Sequence, residues 1–292
     1  MNSTVILNPE LATVSRLLVL GALTIYSVAF LVLTWSLTKK AAEGKKNASA
    51  NRLENIGLYL MGFGVLIHFI GVLTRGIAAQ RVPWANMYEF SITGSFIVTF
   101  IYLAATFFKD IKYIATFVSG FVVLIIGSAN TLFYVQVESL MPALQDYWLV
   151  IHVSVAILGT AFFMIAAALA TILILKSGKR KFKLLKAFPA VEKLEKLSYQ
   201  FNIIGFILWT FTLIAGAIWA DKAWHRFWGW DTKEVWTFII WTIYAAYLHA
   251  TTTRGWEGKK AAWLTLIGFT AILFNFTIVN LFFKGLHVYS GL

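Results

Sequence analysis

Cysteine is absent from this chain, proline occurs only four times in 292 residues, and 13 acidic side chains stand against 25 basic ones. Without thiols the chain builds no disulfide framework, no zinc–thiolate centre and no thiol redox pair of its own. Scarce proline, together with the lack of any internal repeat, argues against a secondary transporter, whose folds show repeats and Gly/Pro-broken helices near the midplane. Charge of either sign is also scarce, at 13%, whereas 59% of residues are hydrophobic. Soluble domains carry about 25% charged and about 45–50% apolar residues. The composition is that of an integral membrane protein. The first apolar run is long and has no basic segment before it, so it does not read as a cleavable signal peptide.

What is present is a series of long apolar runs. Spanning the hydrocarbon core takes about 20 apolar residues in a helix. Eight segments qualify, at about 14–37, 57–79, 91–108, 113–133, 148–175, 201–220, 235–252 and 262–283. Strands of a membrane barrel would instead alternate over about ten residues. The expected fold is all-α with about eight transmembrane helices. It reads as an N-terminal helix and basic loop (1–56), followed by a membrane core (57–292) with a tryptophan loop at about 219–236.

Basic residues crowd alternate connections: Lys39, Lys40, Lys45, Lys46 and Arg52 in the first, Lys109 and Lys112 in the third, Lys176 to Lys196 in the fifth, Arg254, Lys259 and Lys260 in the seventh. The positive-inside bias makes these loops cytoplasmic and puts both termini outside, with the tryptophan loop on that outer side. The formal charge of +12 is then explained by topology and contact with anionic lipid in the bilayer. A nucleic-acid partner would need a basic face with base-reading elements, and none is present. Within the fifth loop, Val191–Leu197 reads as a short surface helix of mixed charge.

The densest chemistry lies in Trp224-His225-Arg226-Phe227-Trp228-Gly229-Trp230-Asp231-Thr232-Lys233-Glu234. Tryptophan at a membrane interface is usually an anchor, and Trp219, Trp236 and Trp241 fit that role. Trp224, Trp228 and Trp230, with Phe227 among them, exceed what anchoring needs. They suit a flat apolar ligand such as haem, whose iron takes histidine. Asp231 followed by Glu234 is also a capping-box pattern opening the next helix.

The chain has five histidines, four of them in or beside membrane helices, where an ionisable side chain is costly and points to function. A neutral histidine bonded to a neighbouring helix is the bland alternative. His152, early in the fifth span, and His287, just beyond the eighth, both fall within about 6 Å of the outer boundary. They can flank one haem over the tryptophans. His68 and His249 lie deeper and suggest a second site. Gly64 and Gly71 on the face of His68, and Ala245 beside His249, would leave room for a porphyrin or simply allow close helix packing. His225 reads as a solvated loop residue. Arg75 and Arg81 suit bidentate contact with haem propionates, or snorkel at the interface.

Taken with Tyr247-Leu248-His249, Arg254-Gly255-Trp256, Asn280-Leu281, Gly285-Leu286-His287 and Tyr289, and with Asn86-Met87-Tyr88-Glu89 and His152-Val153 upstream, the loop resembles the tryptophan-rich "WWD" signature of haem-handling proteins. The set is similar to the CcsA/ResC-type cytochrome c biogenesis proteins of System II. That resemblance implies export or presentation of haem b and its covalent attachment to the CxxCH motif of apocytochrome c, as the haem-lyase component of a synthase. A CcsB/ResB-like partner is implied too, with thiol-reducing proteins nearby, in a bacterial plasma membrane or a thylakoid. By resemblance, His152 and His287 are the outer haem ligands and His68 and His249 the transmembrane pair. Trp224, Trp228, Trp230 and Asp231 complete the haem-binding set. The loop departs from the family pattern where His225 replaces a common glycine, Phe227 a tyrosine and Thr232 a proline. A CcmC-like protein that hands haem to a chaperone is the nearest alternative, and a haem b electron carrier a more distant one.

Overall fold

The computed structural model describes residues 7–141, 144–178, 182–253 and 255–287. Lys179, Arg180, Lys181, Arg254 and Tyr289 lie outside the described residues. Every regular element among the described residues is helical. The long helices are α1 (Pro9–Glu43), α2 (Ala48–Ala79), α3 (Met87–Phe108), α4 (Ala115–Leu132), α5 (Tyr147–Lys176), α6 (Val191–Trp224), α7 (Thr232–Thr251) and α8 (Lys259–Phe274). A π turn (Asn275–Val279) and a closing turn (Asn280–Phe282) extend α8. Seven of these stretches are long and apolar enough to cross a membrane. The eighth, α7, has 20 residues but is diluted by Trp, Tyr and Thr. Several helices overrun the apolar runs that define them, because nothing in the flanking sequence stops the hydrogen-bond ladder.

Local signals set the helix starts. Asn8 caps α1 by accepting from Leu11 N–H at 2.9 Å, and Pro9 takes the first helical position, where its missing donor costs nothing. Asn86 and Asp146 cap α3 and α5 in the same way. One expectation fails here. Val191–Leu197 is not a separate surface helix but the first turns of the 34-residue α6. Ser198-Tyr199-Gln200 contains no breaker, so the helix runs on into the apolar stretch.

The described residues fall into two compact units. The first holds α1 as far as Ser36 and α2 to α4 as far as Gln145. In it, glycines spaced by seven on α2 each receive a side chain of α1: Gly57 meets Leu33, Gly64 meets Tyr26 and Gly71 meets Val19. A Cβ on Gly64 would stand 2.6 Å from the Tyr26 ring. Without a hydrophobic force between helices in lipid, such close packing is what holds them together. It also decides the use of two residues whose smallness had two readings. The space at Gly64 and Gly71 holds Tyr26 and Val19, not a gap.

The second unit comprises Leu37–Asn47 and Asp146–Val288. Helix α5 packs along α6 through small residues, with Gly159 facing the Gly205 carbonyl and Ser198 donating to Ala166 O at 3.2 Å. Phe163 of α5 stacks on Tyr244 of α7, centroids 3.6 Å apart. Asn202 of α6 donates to Thr265 of α8 at 2.9 Å. Lys45 and Lys176 both donate to Phe188 O at 2.8 Å, tying the basic loops together.

Candidate functional site

Helix α6 ends at His225, which takes a left-handed conformation (φ 55°) and donates its N–H to Asp221 O at 2.9 Å. This is the position where glycine is the usual terminator, so the histidine here is a cap residue and its ring is exposed. The loop that follows is stapled by Glu234. Its carboxylate accepts from Gly229 N at 2.8 Å, from Asp231 N at 3.0 Å and from Arg226 at 3.3 Å. Asp231 caps α7, and the capping box with Glu234 is complete. A loop of bulky aromatics is thus held by backbone donors on two carboxylates.

Asp231 does more than cap. Its Oδ1 also accepts from His287 Nδ1 at 3.0 Å, and its Oδ2 accepts from Leu286 N at 2.9 Å. Burial would push this carboxyl up, but the hydrogen bonds it accepts from His287, Lys233 and Leu286 outweigh it and hold it at about 2. An ionised carboxylate on Nδ1 makes that nitrogen the donor and leaves Nε2 with its lone pair. His152 is arranged alike. Its Nδ1 lies 3.0 Å from the Thr212 carbonyl, which can only accept, so Nε2 is again left for a ligand. Gly216 makes room for that ring, since a Cβ there would sit 2.8 Å from His152 Cε1. An imidazole oriented through its second nitrogen by a carbonyl or carboxylate is the usual form of a metal-ligating histidine.

Trp219 brings the two histidines together. Its ring stacks beside His152 (centroids 5.9 Å, 17°) and meets His287 edge-on at 5.4 Å. Trp224 closes the group, 4.8 Å from Trp219 and 4.7 Å from His287. Trp219 is only 2% exposed. It is a centre of the cluster, not the interfacial anchor that its place near a helix end suggests. Trp228 and Trp230 form a separate edge-to-face pair at 5.8 Å, with Trp228 against Phe238. Trp230 is 75% exposed. Of the three loop tryptophans expected in the site, the structure therefore brings Trp224 to the histidines, while Trp228 and Trp230 form a rim beyond it.

His68 belongs to the first unit. It is fully buried between Tyr26 and Phe96, with Tyr26 Oη 3.5 Å from Nδ1 and no hydrogen-bond partner on Nε2. His249, in the second unit, lies in the last turn of α7 and is exposed. Arg75 and Arg81 neither snorkel nor stand open. Both clasp the buried Glu89, at 3.1 and 2.5 Å, and Arg75 also donates to Val135 O and Gln136 O.

Sequence reasoning missed Thr212, Gly216 and Trp219 as a group. Their spacing of four and three residues puts them on one face of α6, a signal hidden because Trp219 lies apart from the densest part of the loop.

The chain matches the family model described as cytochrome C assembly protein over residues 84–287. It is 32% identical to the "Cytochrome c biogenesis protein CcsA" of one Prochlorococcus marinus strain over 298 residues, covering 92% of this chain and 93% of that one. The proteins of the same name from Chlamydomonas reinhardtii and Guillardia theta are 32% and 35% identical, over 79% and 75% of this chain and 67% and 80% of theirs. Among solved structures, "Cytochrome c Heme Lyase CcmF" superposes with a TM-score of 0.70 at 16% identity, covering 94% of this chain and 47% of that one. That likeness concerns the fold, and this chain spans about half the lyase's length.

Proposed function

The chain belongs to the cytochrome c assembly protein family, and from that premise we propose that it presents haem b for covalent attachment to an apocytochrome c. In this reading it is a System II synthase component working with a CcsB/ResB-like membrane partner, and the tryptophan loop faces the outer side. Haem is its substrate. The observation that carries the proposal is the pair His152 and His287, each with Nδ1 engaged and Nε2 open, converging on Trp219.

The protein's task is placement more than acid–base chemistry. His152 and His287 hold the iron axially. Trp219 and Trp224 seat the porphyrin face, and Trp228 and Trp230 border the opening through which the CxxCH segment approaches. Each cysteine S–H of that segment adds across one vinyl C=C, sulfur to one carbon and hydrogen to the other, with no net change of oxidation state. The peptide histidine then replaces one protein imidazole, and the product leaves. Asp231 keeps His287 aimed meanwhile. His68, with its buried unpartnered Nε2, and His249 are proposed as ligands within the membrane that haem meets on its way.

The test is spectroscopic. Purified protein should carry haem with a six-coordinate, low-spin spectrum. His152→Ala or His287→Ala should convert it to a five-coordinate form that added imidazole restores. A double variant with the unchanged low-spin spectrum would reject the assignment.

A further inference from the structure

We infer that Lys233 is the residue that recognises the carboxylate edge of the tetrapyrrole, so that the cleft selects a free-acid porphyrin over an otherwise identical neutral one. The inference rests on the reading that this cleft takes haem. It adds a charged contact to a site so far described by its imidazoles and indoles.

Lys233 follows the capping residue Asp231 by two positions, and its backbone N–H is bound by that cap. Its side chain turns inward, where the ammonium donates to Asn280 Oδ1. Asn280 is delivered there by the π turn that interrupts the end of α8. The side chain is enclosed by protein at its charged end while the residue keeps part of its surface open. Asp231 Oδ1 receives both Lys233 N and His287 Nδ1, so Lys233 shares an acceptor with a member of the imidazole and indole cluster.

Its charge is not balanced locally by direct contact. An ammonium has three donors, and among the described residues this one donates to a neutral amide oxygen and to no carboxylate. Asp231 exerts an attraction through space, but its two oxygens already serve Lys233 N, Leu286 N and His287. The nearby Arg226 differs, since its guanidinium is matched with Glu234 at 3.3 Å and lies over Trp224. Enclosing an ammonium without an anion is costly. A purely structural link to Asn280 would be served by a neutral amide. A cation with open donors beside a seat for a flat ligand fits a ligand that brings its own carboxylate, and haem carries two on one edge. The charge-assisted bond that results is short and strong.

The experiment compares protoporphyrin IX with its dimethyl ester, both as iron complexes and metal-free, titrated into haem-depleted full-length protein in nanodiscs. Metal-free porphyrins make no axial bond, so their discrimination reports the carboxylate contact alone. Wild-type protein should prefer the free acid by about tenfold or more in both forms. Lys233→Met and Lys233→Gln should both reduce that preference to about twofold or less, and Lys233→Arg should retain most of it. Lys233→Gln can keep a hydrogen bond to Asn280, so it answers even where the methionine variant misfolds. Equal binding of acid and ester by wild type, or full discrimination in the glutamine variant, would overturn the inference. Loss of the low-spin spectrum from wild type would instead defeat the axial-ligand reading, and the metal-free comparison would still decide the role of Lys233.

Discussion

Replacing Asp231 by asparagine isolates the contact on which the geometry of His287 depends. The native carboxylate takes Lys233 N at 2.9 Å, Leu286 N at 2.9 Å and His287 Nδ1 at 3.0 Å. An asparagine has one carbonyl oxygen. Placed where Oδ1 stands, it keeps Lys233 and His287 but turns its NH2 toward Leu286 N–H. Placed where Oδ2 stands, it keeps Leu286 and loses both others. Either rotamer leaves at least one partly buried donor without an acceptor, worth about 1–3 kcal/mol. It also removes the negative charge that faces His287 Nδ1. Loss of an outer-sphere partner of a ligating histidine typically lowers metal affinity by about 10–100-fold. Haem titrated into depleted protein in nanodiscs, followed at the Soret band, should show a loss in that range with helical circular dichroism preserved. The pH dependence has a definite sign. The folded carboxyl is held at about 2, below the ordinary 3.8. The contact therefore contributes its full stability above 3.8 and loses it as pH falls through about 2. The stability gap between native and Asp231→Asn protein should be level above about pH 5 and narrow below it. An asparagine variant with native haem affinity, or a gap that widens in acid, would refute the reasoning.

Gly216→Ala should leave α6 helical, since alanine favours a helix by about 0.5–1 kcal/mol over glycine, yet its methyl would press on His152 at 2.8 Å. Haem affinity should fall while the melting temperature holds or rises. Gly64→Ala should destabilise the first unit by about 1–3 kcal/mol through overpacking, measured by denaturant unfolding in detergent. Gly127→Ala, whose methyl would meet nothing within 4 Å, serves as the control without overpacking and should gain about 0.5–1 kcal/mol. Glu89→Gln leaves two guanidinium groups around a buried neutral amide. A loss of about 3–5 kcal/mol is expected, seen as a shifted unfolding midpoint.

The membrane class, the approximate positions of the helices and the family were legible in the sequence because each depends on local composition and motif. Apolar runs longer than a bilayer is thick, lysines on alternate loops, and Asp231 with Glu234 before α7 need no partner elsewhere in the chain to be read. What each side chain touches depended on residues far apart in sequence, and only packing decided it. Gly64 and Gly71 were compatible with a porphyrin or with a helix until Tyr26 and Val19 of α1 filled them. Trp219 looked like an anchor until α5 and the segment after α8 set His152 and His287 against it. Asp231 carried the sign of a cap in its own neighbourhood. Its second role, as the acceptor that orients His287, exists because the chain returns 56 residues later to the same carboxylate.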